Sequence, residues 1–262
     1  VYYYNDIDRY DVNGNSDKTE KVNRDQVLIN LNAPEVLLTN QIATEYNDKG
    51  SLVVSPQIAE VEQTDETVKI GIQMKNNYNR LVSDVKVLGV IPFEGNTNVL
   101  NGENLNSEFT TEMVDGGIEI PENLNGKINI YYSENEKADK DLQKESNGWK
   151  LAENVNNWNN IKMFLIDFKD ESISVGEEVT FYYKIRIPEN INYNKITYSH
   201  YGIEYTLNTA EGKFKMQAQP TKLGIRTVAK FDLQISKYQS ALTKLLPGAM
   251  YKIQGSTVGD IK

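Results

Sequence analysis

The 262-residue sequence contains no cysteine and a single histidine. Disulfide frameworks, Cys-ligated zinc, iron–sulfur clusters and thiol chemistry are thereby excluded, and one imidazole leaves little for a His-based metal site. Long apolar runs are also missing. The longest unbroken ones are five residues or fewer, Met163–Ile166 among them, against the ~18 needed to cross a bilayer, and mean hydropathy is −0.55. No membrane insertion is expected. Positive charge is scarce as well: 28 Lys and Arg stand against 37 Asp and Glu, for a net charge of −9. The cations are scattered among acids, so no footprint for a phosphate backbone forms and nucleic acid is not an expected partner. With the usual catalytic side chains so thinly represented, the chain does not read as an enzyme.

What the sequence has in excess is asparagine, 30 residues, and tyrosine, 16 residues. Asn favours turns and resists long helices, and it concentrates in Asn154–Asn160 and Asn190–Asn194. Between such clusters lie short β-branched or aromatic segments: Val68–Met74, Val85–Val90, Lys127–Tyr132, Met163–Phe168, Val179–Ile187, Ile203–Leu207 and Phe231–Ile235. Each has the length and composition of a strand. In the clearest, Val179, Phe181, Tyr183, Ile185 and Ile187 alternate with Thr180, Tyr182, Lys184 and Arg186, as a strand with one buried and one wet face requires. A turn at Ser174-Val175-Gly176-Glu177 opens it and Pro188 closes it. The expected fold is all-β, an Ig-like β-sandwich, with one surface turn of helix allowed in Glu136–Lys144.

The length suits one large or two modest domains. Residues 1–38, rich in Tyr, Asp and Asn, read as a β segment, the tail of a preceding module. Residues 39–227 carry strands at sandwich spacing with two wide excursions, between Asn96 and Gly126 and between Asn135 and Asn160, the expected exposed loops. Residues 228–262 restart the pattern as the first strands of a second β module. A start at Val1 without a leader gives the chain the look of a piece of a longer protein.

Three stretches resemble Gram-positive cell-surface proteins built from Ig-like modules, the pilin-related and collagen-adhesin group. Val68–Asn77 followed by Val82–Pro92 (VSDVKVLGVIP) resembles a strand pair of such repeats, and Ser172–Pro188 (SISVGEEVTFYYKIRIP) resembles their later signature, a Gly-Glu turn feeding an alternating strand that ends at Pro. Phe231–Ile253, with FDLQISKYQ before LLPGAMYKI, is similar to the opening of a collagen-adhesin B-type domain and stops short of its later strands. The resemblance implies a secreted stalk or adhesive module at the cell wall, with neighbouring domains of the same polypeptide and a host or cell-surface glycan or protein as partners. It also implies that Lys237 is an isopeptide donor, attacking an Asn or Asp side chain. Counting by twos from Phe231 independently brings Lys237 onto the apolar face. There desolvation lowers an ammonium's pKa and frees a nucleophilic amine. A strand-end Lys that carries its amine out to solvent is the plainer alternative. The acid and acceptor of such a domain would lie beyond Lys262, so Lys237 is expected to stand unreacted in this chain. Lys75, Lys86 and Lys184 fall on the polar phase of their strands and are not donor candidates.

Other candidates each carry a plainer alternative. Trp149 and Trp158 flank an Asn-rich loop and could stack on a sugar ring, or pack in a core; a carbohydrate-binding module of an extracellular enzyme is the alternative function. Asp11, Asn13, Asn15 and Asp17 offer oxygen ligands to calcium, but Gly14 is misplaced for an EF-hand and a solvated loop explains them. No other cofactor is expected. His200 lacks a recognisable Ser–acid pairing and reads as a strand-end polar residue. Leu246-Pro247-Gly248-Ala249 lacks the Thr-Gly of a sortase signal and reads as a turn.

Overall fold

The computed structural model describes residues 6–7, 16, 21–22, 36–43, 52–62, 67–189, 191–210 and 212–228. Lys237 and the run Asp11, Asn13, Asn15 and Asp17 lie outside them, as does the segment Phe231–Ile253. In chain order the strands are β1 (Asp6–Ile7), β2 (Lys21–Val22), β3 (Val36–Ala43), β4 (Leu52–Val54), β5 (Ile58–Glu62), β6 (Thr67–Asn76), β7 (Val82–Val90) and β8 (Glu112–Met113). They continue with β9 (Asn129–Ser133), β10 (Lys150–Leu151), β11 (Met163–Asp167), β12 (Glu178–Arg186), β13 (Ile196–Thr209), β14 (Gly212–Ala218) and β15 (Leu223–Val228). The fold is all-β, an Ig-like sandwich of two sheets. The larger runs β10-β9-β11-β7-β13-β15-β5, with β14 also on β13; the smaller runs β4-β3-β6-β12-β8.

Alternation builds the core between the sheets. Val68, Ile70, Ile72 and Met74 of β6 and Val179, Phe181, Tyr183 and Ile185 of β12 are buried from one side. Val85 and Val87 of β7, Phe164 and Ile166 of β11, and Tyr201, Ile203, Tyr205 and Leu207 of β13 meet them from the other. Phe164 and Tyr183 pack across the sandwich with ring centroids 5.7 Å apart. The buried tyrosines also bond the sheets together, because a hydroxyl carried into an apolar layer needs a partner. The one proton of the Tyr201 hydroxyl is shared between the carbonyls of Gln73 (2.7 Å) and Thr39 (3.0 Å), and the Tyr183 hydroxyl lies 3.1 Å from Ser199 Oγ. Gly89 of β7 lies beneath the Phe164 ring: a β-carbon there would come within 2.0 Å of Phe164 Cζ. The aromatic layer therefore closes only because that strand position has no side chain.

Strand polarity sets where the chain enters and leaves the sandwich. Val36 pairs with Asn76 at the end of β6, beside the β6–β7 connection and the β13–β14 hairpin. Val228 pairs with Glu62, and Arg226 with Ile196, at the opposite end of β13. Among the described residues, entry at β3 and exit at β15 thus lie at opposite poles.

Three departures from the sequence reading have local causes. Glu136–Lys144 forms turns rather than a turn of helix, because Asn and Asp side chains there cap backbone N–H groups two residues on, an arrangement that competes with helix. Strands β3 and β14 were not evident as such. The buried positions of β3 include Asn40 and Gln41, and β14 is mostly exposed, so neither shows clean alternation of apolar and polar residues. His200 is not at a strand end; it is an interior residue of β13, paired with Val90 of β7.

Candidate functional site

The outer face of the larger sheet carries the side chains that alternate away from the core: Lys86, Leu88 and Val90 on β7, Met163 on β11, and Tyr198, His200, Gly202 and Glu204 on β13. Much of this face is apolar, and a sheet face of that kind needs cover. The two expected excursions supply it. Val90, Phe93, Leu105, Ala138 and Met163 form a second buried cluster, with Leu88, Val99, Trp149 and Tyr198 packed against it.

Asparagine gives both insertions their shape. In the first, Asn98 Oδ1 accepts the N–H groups of Leu100 (2.9 Å) and Asn101 (3.3 Å), while Gly102 donates to the Asn98 carbonyl at 2.9 Å. The resulting tight turn presses Leu100 onto Gly202, where an added β-carbon would lie 2.7 Å from Leu100 Cγ. In the second, fully buried Asn147 donates to the carbonyls of Asp139 (3.2 Å) and Asp141 (2.8 Å) and to Asp139 Oδ1 (2.8 Å), and accepts from the Asp139 N–H. Trp149 Nε1 donates to the Asp139 carbonyl at 2.9 Å. Side-chain hydrogen bonds of this kind replace the ladder that a loop lacks.

A pocket of about 220 Å³ opens between the insertions. Leu88, Val99 and Leu100 form its apolar wall, Gly202 lies on its floor, and Lys86, Asp139, Lys140, Glu204 and Gln217 supply its polar groups. Lys140 Nζ donates to Glu204 Oε2, which also accepts from Gln217 Nε2 at 3.4 Å. Burial works to raise the Glu204 pKa, but the Lys140 hydrogen bond and charge, with Gln217 and Lys215, outweigh it and leave the carboxyl below its ordinary range. The Lys144 hydrogen bond, then those from the Asp141 N–H and Asn147, hold Asp139 down at about 2. Lys86 is more loosely held, 4.0 Å from Asp167.

His200 lies on the same face, opposite the break between β14 and β15. Its ring donates to the Pro220 carbonyl. Nδ1 is buried and has no partner among the described residues, so the donor is Nε2. Desolvation, with a further push from the Lys222 charge, lowers the His200 pKa to about 4 despite that hydrogen bond. Lys222 in turn donates to the Leu105 carbonyl at 2.5 Å and sits 3.7 Å from the Tyr198 ring centroid, tying the first insertion to the sheet. The Asn96 amide nitrogen donates to the Tyr198 carbonyl at 2.9 Å, and its buried Oδ1 is likewise without a partner among the described residues.

The two tryptophans are not brought together. Trp149 packs on the outer-face cluster. Trp158 packs on the main core, edge-on to Tyr132 with centroids 4.8 Å apart, and close to Gly117. Tyr132 accepts the Ile118 N–H at 2.8 Å, and burial pushes its pKa up to about 12. Lys184 is exposed, and Lys75 and Lys86 are half-buried off the core face. Sequence reasoning missed the pocket residues Leu100, Lys140, Gly202, Glu204 and Gln217. The available signal was a glycine inside an otherwise regular strand together with two long insertions, which marks a close approach.

No protein-family model matches the sequence, and no curated protein matches it. Solved structures with a similar outline include the collagen-binding subdomain of the Enterococcus faecalis surface protein ACE, 11% identical, covering 64% of this chain and 93% of that one, with a TM-score of 0.31. AggA, the major subunit of aggregative adherence fimbriae type I from Escherichia coli, is 8% identical over 74% of this chain and 95% of that one, with a TM-score of 0.31. A PapD-like domain of human CEP192 is 8% identical over 80% of this chain and 99% of that one, with a TM-score of 0.32. Likeness at this level, shared by bacterial adhesins and a human protein alike, extends to the β-sandwich outline and no further.

Proposed function

We propose that this chain is a structural and adhesive module of a secreted, wall-attached surface protein of a Gram-positive bacterium, a load-bearing spacer rather than a catalyst. Neighbouring domains of the same polypeptide would flank it, and a host or cell-surface glycan or protein would be its partner. The observation that carries the reading is the passage of the chain from pole to pole. Tension on the flanking chain enters at Val36 and leaves at Val228. It loads β3 along its eight register pairs with β6, and β15 along its pairs with β13 and with parallel β5. Hydrogen bonds so arranged are sheared together instead of being opened one after another, which suits a stalk.

Single-molecule pulling tests this directly, and the absence of native cysteine allows handles to be placed at will. Pulled by its two ends, the full chain should unfold at higher force than the double variant Val175→Cys, Lys213→Cys, whose handles both sit at the entry pole. Equal or lower force through the ends, at matched loading rate, would remove the load-bearing role.

A further inference from the structure

The pocket between the insertions takes no part in the path of force, yet it is built with care. Its two cations, Lys86 and Lys140, and two carboxylates, Asp139 and Glu204, sum to zero charge, so an ion entering it gains little net attraction. Hydroxyl groups, which both donate and accept, match a rim where ammonium and amide nitrogens donate while carboxylate and amide oxygens accept. Those rim groups are largely ordered in advance: Lys140 and Gln217 on Glu204, Lys144 and Asn147 on Asp139. Ordering in advance lowers the entropy cost of binding. Opposite the rim, Leu88, Val99 and Leu100 offer an aliphatic wall to a C–H face, with Leu100 seated directly on Gly202. At about 220 Å³ the site falls below the ~300–1,000 Å³ of drug-sized pockets and suits one monosaccharide residue.

We infer that this pocket binds one neutral pyranose residue of a glycan, its hydroxyls on Glu204, Gln217, Asp139 and Lys86 and its C–H face on Leu88 and Leu100. The inference gives the adhesive reading above a ligand class and rests on it, but uses none of the residues that bear load.

The test is a titration of the isotopically labelled full chain, followed by amide NMR. The probes are methyl glycosides of glucose, galactose, mannose and N-acetylglucosamine, with methyl glucuronide and N-acetylneuraminic acid as charged counterparts. A neutral glycoside should shift the amides of Leu88, Leu100 and Gly202, and bind at least tenfold more weakly to Glu204→Gln and Gln217→Ala. Should Glu204→Gln fail to fold, Gln217→Ala on the outer strand β14 and the wild-type map still decide. Three results would each overturn the inference: no response of these amides to any neutral glycoside at millimolar concentration, a stronger response to the acidic sugars, or shifts confined to the indole N–H groups of Trp149 and Trp158. Loss of sugar binding with the expected pulling behaviour leaves the spacer role standing, whereas sugar binding without the difference in force removes that role alone.

Discussion

His200 ties the stability of this sandwich to pH in a window where almost nothing else titrates. It is the single histidine of the chain, it is 2% exposed, and its neutral ring holds the Pro220 carbonyl at the break between β14 and β15. The groups facing it are Lys222 across the break, the Asn96 amide beside Tyr198, and apolar Val90 on β7. Desolvation and the Lys222 charge take its pKa from an ordinary 6.5 to about 4. Because the folded value lies below the unfolded one, the unfolded chain takes up the proton first. The stabilising contribution is therefore fully present above pH 6.5 and is lost as pH falls through about 4. At about 1.4 kcal/mol per pH unit, the whole difference amounts to about 3 kcal/mol, of which about 2 kcal/mol should be gone by pH 5. Urea unfolding midpoints measured from pH 7.5 to 5 should fall accordingly in the wild type and much less in His200→Gln, which keeps a donor near Pro220 but cannot charge. Stopping at pH 5 keeps ordinary carboxylates largely out of the measurement. A His200 C2–H resonance titrating near 6.5 in the folded protein, or the same slope in the variant, would refute the reasoning.

Gly89→Ala should destabilise by about 3 kcal/mol, the upper part of the range for overpacked cores, because its β-carbon lands 2.0 Å from Phe164 Cζ. Adding Phe164→Leu should recover part of the loss in the denaturant midpoint, and no recovery would locate the strain elsewhere. Asn147→Ala removes the amide's two N–H donors, shared among the Asp139 carbonyl, Asp139 Oδ1 and the Asp141 carbonyl, and the acceptor of the Asp139 N–H from the second insertion. It should cost about 1–3 kcal/mol and speed amide exchange at Asp139; unchanged exchange would mean that the loop is held by other contacts. For Lys237, expected to stand unreacted in this chain, the intact mass should equal the value the sequence gives, while a deficit of one ammonia or water that disappears in Lys237→Ala would show a crosslink instead.

Residue order alone was enough for the strand-rich, helix-poor character, the one-sided alternation of β12 and the position of both insertions, because these depend on spacing along a few consecutive residues. Tertiary structure decided the rest. Asn147 and Asn98 read as generic turn formers in sequence, and their role as loop scaffolds emerges only when partners six to eight residues distant or across a turn come within hydrogen-bond reach. Trp149 and Trp158, nine positions apart, part company because the chain between them carries one to the outer-face cluster and the other to the main core. Leu100 and Gly202 meet, and Lys140 meets Glu204, across gaps of sixty residues or more. Local pattern fixes which way a side chain points from its own strand; which other side chain it then faces depends on sheet order and register, set by the packing of the whole chain.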